Sequence, residues 1–248
     1  MARIELRNCT ITLKDGLAGT AAANTGNTTP MSGNTTLSIN SVSLNTDITT
    51  MVPIGARFTI AGETANTTVH IVTARTNMSN NTTSITFSPA LTAGTYANTA
   101  VLTFAPIELD IKIGEGELKY TETTDYKYDL DRGNLDTVRE GDEVPMDVSL
   151  AFTYEHITTG TSEAVSPMDA LKRVGSASEW VSAATDKCEP YAVDLVVTHN
   201  VPCGTTQDER TTFPDFRSDK REISFKDALI TITGRSTATE PIVERGTF

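Results

Sequence analysis

Apolar residues recur at every second position in several stretches of this chain. Ile107, Leu109, Ile111 and Ile113 alternate with Glu108, Asp110 and Lys112, and Met146, Val148, Leu150, Phe152 and Tyr154 alternate with Asp147, Ser149, Thr153 and Glu155. Tyr191, Val193, Leu195 and Val197 form a third stripe, and Ile223 and Phe225 followed by Ile230 and Ile232 a fourth. A period of two sends successive side chains to opposite faces of a strand, so these stretches predict antiparallel sheet with one apolar and one wetter, mostly acidic face. The segment IELRNCTITLKDG (4–16) reads as an N-terminal strand. Five shorter β-prone runs, at 36–44, 56–61, 67–75, 83–88 and 100–104, are separated by Gly, Pro and Asn turns and predict a small barrel or sandwich.

One helix is predicted, in SPMDALKRVG (166–175). Ser166 can cap it, Pro167 suits the first helical position, Asp169 meets the positive helix end and Gly175 can stop it. Met168, Leu171 and Val174 fall roughly on one face, which predicts a short helix packed on the sheet.

Charge divides the 248 residues. Lys and Arg number 20 against 32 Asp and Glu, a formal net charge of −12 that argues against nonspecific cationic contact with DNA or an anionic membrane. Between Gly19 and Pro106 the charged residues are Asp47, Arg57, Glu63 and Arg75, so that Thr/Asn-rich stretch is neutral and the rest of the chain carries the whole −12. The boundary predicts an inserted all-β domain at 19–106 within a domain made of 1–18 and 107–248. The front of the insert, TAAANTGNTTPMSGNTT (20–36), reads as a flexible linker because it has little apolar surface to offset ordering.

The search for catalytic chemistry is mostly negative, and the reading is of a non-enzyme with no cofactor, no catalytic residues and no metal site. No GxSxG, GxxxxGK[ST], GxGxxG or HExxH motif occurs. His70, His156 and His199 lack a characteristic partner spacing and read as structural or surface histidines. DLDRGNLDTVRE (129–140) places Asp129, Asp131 and Glu140 at the first, third and twelfth positions of a calcium loop. Gly133 stands where the fifth position needs an oxygen ligand and Asn134 where the sixth needs glycine, so a solvated turn is the better reading. Cys188 and His199 lie too far apart along an extended strand to meet unless the chain folds back, which makes a zinc site with Cys203 a poor reading. Such a fold-back would also let Cys188 meet Cys203, though free thiols are the default in a reducing cytosol. No apolar run is long enough to span a membrane, and no signal peptide is apparent.

Read in order, IKIGEGELKYTE (111–122), YDLDRGNLDTVREGDEVPMDVSLAFTYEHI (128–157), SPMDALKRVG, CEPYAVDLVV (188–197), FPDFR (213–217) and DALITITGR (227–235) resemble the tail tube proteins of long-tailed bacteriophages. Within the insert, VPIGARFTIAG, an H-x-V-T-A strand and TSITFSPAL resemble a small β-module of phage structural proteins. The tail-tube resemblance implies a β-sandwich or partly closed barrel with a flanking helix, similar to the type VI secretion tube protein, assembling with itself into homohexameric rings. It further implies a virion tail protein assembled in the host cytoplasm, whose stacked rings conduct DNA without specific binding. Tape-measure, tail terminator and baseplate proteins are the implied partners. Under that reading Glu108, Asp110, Asp147, Glu155 and Asp194 are candidates for the lumen, and the long 120–145 segment with its loop Gly141, Asp142, Glu143, Val144 and Pro145 for ring stacking. The insert is expected on the tube exterior. The competing classes are a capsid-decoration or adhesin-type virion protein, and a carbohydrate-binding or hydrolytic β-protein, for which Trp180 is the only tryptophan.

Overall fold

The structure, a computed structural model, describes residues 9–23, 32–45, 52–64, 68–77, 83–97, 99–111, 113–114, 116–153, 165–186, 188–199 and 208–246. It is mainly β. In chain order the strands are β1 (Cys9–Lys14), β2 (Gly19–Ala23), β3 (Thr36–Leu44), β4 (Arg57–Ile60), β5 (His70–Asn77), β6 (Thr83–Ser88), β7 (Val101–Ala105) and β8 (Glu108–Ile111). They continue with β9 (Leu118–Thr121), β10 (Tyr126–Asp131), β11 (Asn134–Glu140), β12 (Met146–Thr153), β13 (Val193–His199), β14 (Asp208–Ser224), β15 (Leu229–Ser236) and β16 (Ile242–Gly246). One short helix, α1 (Pro167–Lys172), precedes a 3-10 turn at Gly175–Ala177. Two compact units result: Met1–Leu13 with Asp110–His156 and Ala192–Phe248, and Lys14–Leu109 with Ile157–Tyr191.

The first unit is built on a sheet ordered β8-β1-β13-β14-β15-β12-β9, with β16 also paired to β14. The alternation in the sequence sets its burial: Met146, Val148, Leu150 and Phe152 of β12 are buried, as are Ile230 and Ile232 of β15. Each such side chain removed from water contributes on the order of 1.5–3 kcal/mol. The 17-residue β14 serves two neighbourhoods. Its first half pairs with β13 and β16, its second half with β15, and between them Asp215 takes a positive φ of 50°. The sheet therefore bends within one strand and brings the β9 edge back over the core, where the Tyr120 and Phe213 rings lie 5.2 Å apart.

In the second unit β2-β3-β6-β5-β4-β7 close into a barrel, because β7 pairs with both β2 and β4. The runs at 36–44 and 83–88 coincide with β3 and β6, and the other three start and end within three residues of β4, β5 and β7. The sixth strand comes from the stretch expected to be a linker: Gly19–Ala23 is β2, and the small side chains of Ala21 and Ala23 are buried inside the barrel. Residues 24–31 of that stretch lie outside the described residues. Phe58, Phe87 and Phe104 fill the interior, with Phe58 edge-on to Phe87 at 5.2 Å. Closure through β7 joins the two ends of the strand order, which lets a neutral, Thr/Asn-rich domain carry few of the charges that guard open sheets.

α1 follows its sequence signals at the start. The Ser166 hydroxyl accepts the Met168 N–H at 3.2 Å and Pro167 occupies the first turn. It stops earlier than Gly175: Arg173 takes the left-handed conformation (φ 54°) and its N–H returns to the last carbonyls. Met168, Ala170 and Leu171 are buried, whereas Val174, beyond the stop, is exposed.

Asp15 is the buried polar centre of this unit. Its Oδ1 accepts the N–H groups of Leu17 (3.1 Å) and Ile107 (2.6 Å), and its Oδ2 that of Val181 (3.1 Å). One carboxylate thus ties together the residues where the chain enters and leaves the barrel and the segment following α1. A second tie joins Arg75 of β5 to Glu179, which also accepts the Ile54 N–H at 3.1 Å.

Candidate functional site

The segment 120–145, expected as a long loop, is instead a two-stranded hairpin. β10 and β11 pair from Tyr126↔Glu140 to Asp131↔Asn134, joined by Arg132 and Gly133 at φ 50° and 86°. Positive φ at both central residues is the two-residue hairpin turn whose twist matches that of the strands, and glycine takes that conformation without cost at the second position. A residue is skipped at Asp136, where the register shifts. That shift fixes the chemistry of the two faces.

On one face stand Tyr126, Tyr128 and Leu130 opposite Glu140, Val138 and Leu135; on the other, Lys127, Asp129 and Asp131 opposite Arg139, Thr137 and Asn134. Much of the polar face is paired: Arg139 pairs with Asp129 at 2.6 Å, the Thr137 hydroxyl donates to Asp129 at 3.2 Å, and Lys127 reaches Asp142 of the following loop at 3.0 Å. The apolar face is bare. Tyr126, Tyr128, Leu130, Leu135 and Val138 are 51, 60, 65, 59 and 50% exposed. Together they offer roughly 500 Å² of largely apolar surface, the size of the largest patch on a typical monomer, which is often functional. A ribbon of two strands is itself marginally stable in water.

The loop Gly141, Asp142, Glu143, Val144 and Pro145 forms the hairpin's base. Gly141 N–H donates to the Asp125 carbonyl at 2.8 Å and the Asp142 N–H to the Asp125 carboxylate at 3.3 Å. A cleft of about 420 Å³ there is lined by Glu122, Asp125, Glu140, Asp142, Glu143 and Glu240 among others, so the apolar blade rises from an acidic foot.

Four of the five acidic lumen candidates lie among the described residues, and each has a partner. Glu108 is paired with Arg57 and, at 2.8 Å, with Lys14. Asp110 accepts the Thr12 hydroxyl at 2.8 Å. Asp147 lies opposite Arg235 across the β12–β15 ladder and meets its Nε at 3.2 Å. Asp194 is half-buried at the bend of β14, where the register jumps from Val193↔Phe216 to Leu195↔Phe213; its Oδ1 takes the Asp215 N–H at 2.9 Å that the ladder leaves over. Glu155 lies outside the described residues.

The calcium-loop-like run 129–140 lies within this hairpin, and among the described residues no group of three or more His, Cys, Asp or Glu side chains is placed to hold a metal ion. Cys188 is an exposed free thiol, His199 is buried in β13, and Cys203 and His156 lie outside the described residues. Trp180 is fully buried and offers no surface platform for a sugar. No helix among the described residues is long and apolar enough to cross a membrane.

Sequence reasoning missed the hairpin because the run was read for its acids. The signal was present: Tyr126, Tyr128 and Leu130 alternate with Lys127, Asp129 and Asp131, and Gly133 sits at the second position of a two-residue turn. Comparison with protein-family models, with curated proteins and with solved structures finds no match to this chain.

Proposed function

We propose that this chain is a tail tube subunit of a long-tailed bacteriophage, joining copies of itself into six-membered rings that stack into a DNA-conducting tube. The tail assignment rests on the order of sequence motifs from 111 to 235. The observation that carries self-assembly is the β10–β11 hairpin, with five large apolar side chains half or more exposed and a polar face much of which is already paired. Such a blade has little to gain from water and much to gain from a neighbouring copy. The open edges of the sheet in the first unit fit the same purpose, since β8 and β9 end its strand order among the described residues and leave N–H and C=O groups for another strand.

In this reading the hairpin and its foot at 141–145 form the ring-to-ring contact, and the tape-measure, terminator and baseplate proteins bind at the ends or within the channel. The lumen's negative character comes from net charge rather than from a single row of free carboxylates, because Glu108 and Asp147 each carry a basic partner. A net charge of −12 per copy repels a passing polyanion without holding it.

Electron microscopy of the purified protein tests this: rings or tubes support the proposal. Monodisperse monomers or trimers across the concentrations used would overturn it and favour a decoration or adhesin protein.

A further inference from the structure

The barrel encloses an ionisable pair that neither the fold nor the proposed assembly requires. Glu63, in the turn after β4, and His70, the first residue of β5, have fully buried side chains, with His70 Nε2 3.2 Å from Glu63 Oε1. Oε1 also receives the Thr92 N–H at 2.9 Å and the Thr92 hydroxyl at 3.0 Å. The Tyr96 hydroxyl lies 3.2 Å from Oε1 and 2.7 Å from the Thr92 carbonyl. The other carboxylate oxygen, Oε2, is buried with no partner among the described residues.

The partners fix where the protons are. His70 Nδ1 lies 2.8 Å from the Pro89 carbonyl oxygen, which can only accept, so Nδ1 carries a hydrogen. The two Thr92 donors on Oε1 favour the ionised carboxylate, with Nε2 as the donor between them. Both ring nitrogens are then protonated. The rings of Phe58 from β4 and Phe87 from β6 pack on His70 at 5.2 and 5.3 Å and supply no charge, leaving Tyr96 as the further titratable group at the site.

We propose that His70 is held as an imidazolium against the Glu63 carboxylate, and that this buried ion pair is a proton-dependent latch pinning the β6–β7 connection over the barrel end. The pair spans that connection through Pro89, Thr92 and Tyr96, and the backbone is drawn in beside it. Thr64 N–H donates to the Ala93 carbonyl at 3.0 Å, Thr95 N–H to the Gly62 carbonyl at 2.8 Å, and Glu63 and Gly94 form an isolated bridge. Burial opposes the Glu63 charge, but the Thr92 hydrogen bonds and the His70 charge outweigh it and hold the carboxyl below its ordinary value. A group whose folded value is lowered contributes stability that is present above the unfolded value and lost as pH falls through the folded one. Acid thus releases the latch by protonating Glu63.

The test is nitrogen NMR of the His70 ring in the intact chain at neutral pH, the signal assigned by its loss in His70→Asn. Two protonated ring nitrogens are expected; a single proton, on Nδ1, overturns the ion pair. The latch itself is read from amide exchange, corrected for its intrinsic pH dependence. Glu63→Gln should speed exchange at Thr92 and Thr95 at least tenfold, with Val72, whose N–H donates to the Ala56 carbonyl, little changed. Unchanged exchange at Thr92 and Thr95 would overturn the latch. Should Glu63→Gln not fold, the wild-type protein decides: exchange at Thr92 and Thr95 rising relative to Val72 as pH falls through the carboxylate range supports the latch, and a constant ratio overturns it.

Discussion

Replacing Asp15 by Ala removes a side chain that joins three segments of its unit. Its carboxylate is buried and accepts N–H groups from Leu17, Ile107 and Val181 at 3.1, 2.6 and 3.1 Å. Hydrogen bonds to a charged acceptor are worth about 1.5–3 kcal/mol each, and every donor left buried without a partner costs about 1–3 kcal/mol. Three bonds on one carboxylate do not add independently, and the burial cost of the carboxylate itself is recovered, so a loss of about 3–5 kcal/mol is expected. Trp180 reports on it, since the only tryptophan is buried next to Val181, one of the three donors. With a urea slope of about 2–3 kcal/mol per molar, the tryptophan transition should move down by roughly 1–2.5 M. Asp15→Asn, which keeps one acceptor oxygen, should fall between. A midpoint for Asp15→Ala within about 0.3 M of wild type would refute the reasoning, because no arrangement of three buried, unpaired N–H groups is that cheap.

Other outcomes follow from the same geometry. Val138→Asp, on the bare face of the hairpin, should change the stability of the unassembled chain by less than about 0.5 kcal/mol and abolish self-association in sedimentation velocity. Ser166→Ala removes the cap of α1 and should cost about 1 kcal/mol in chemical denaturation. Gly62→Ala should destabilise the barrel by more than about 2 kcal/mol in thermal unfolding: its φ is 105° and an added Cβ would lie 2.4 Å from the Thr95 carbonyl oxygen. The Tyr96 phenol, pushed up to about 12 by burial and by the Glu63 charge, should remain protonated in an ultraviolet titration at pH 10.5, where an ordinary tyrosine is largely ionised.

Much of the architecture was legible one strand at a time. The alternation at 146–153 set the buried face of β12, the run at 36–44 is β3, and Ser166 with Pro167 set the start of α1, because period and capping are properties of neighbouring residues. Gly19–Ala23 escaped for the opposite reason. Three alanines and a glycine have little β propensity, and what makes them a strand is pairing with β3 on one side and β7 on the other, with Ala21 and Ala23 buried. The hairpin's pattern was in the sequence but was outweighed by its acids, and only the skipped residue at Asp136 aligns Leu135 with Leu130 to complete the apolar face.

By itself, then, the sequence determined which residues would sit on which face of a strand, where the helix begins, and that the net charge belongs outside the stretch 19–106. The tertiary structure decided who meets whom: that Glu108 and Asp147 are matched to Arg57 and Arg235, that Asp194 serves a bend in β14, that Asp15 ties three segments, and that Glu63 and His70 face each other inside a barrel. The division has a physical cause. Local pattern reflects the short-range geometry of the backbone, whereas pairings between residues as distant as Asp15 and Val181 depend on which strands close on which, and no window of sequence contains that choice.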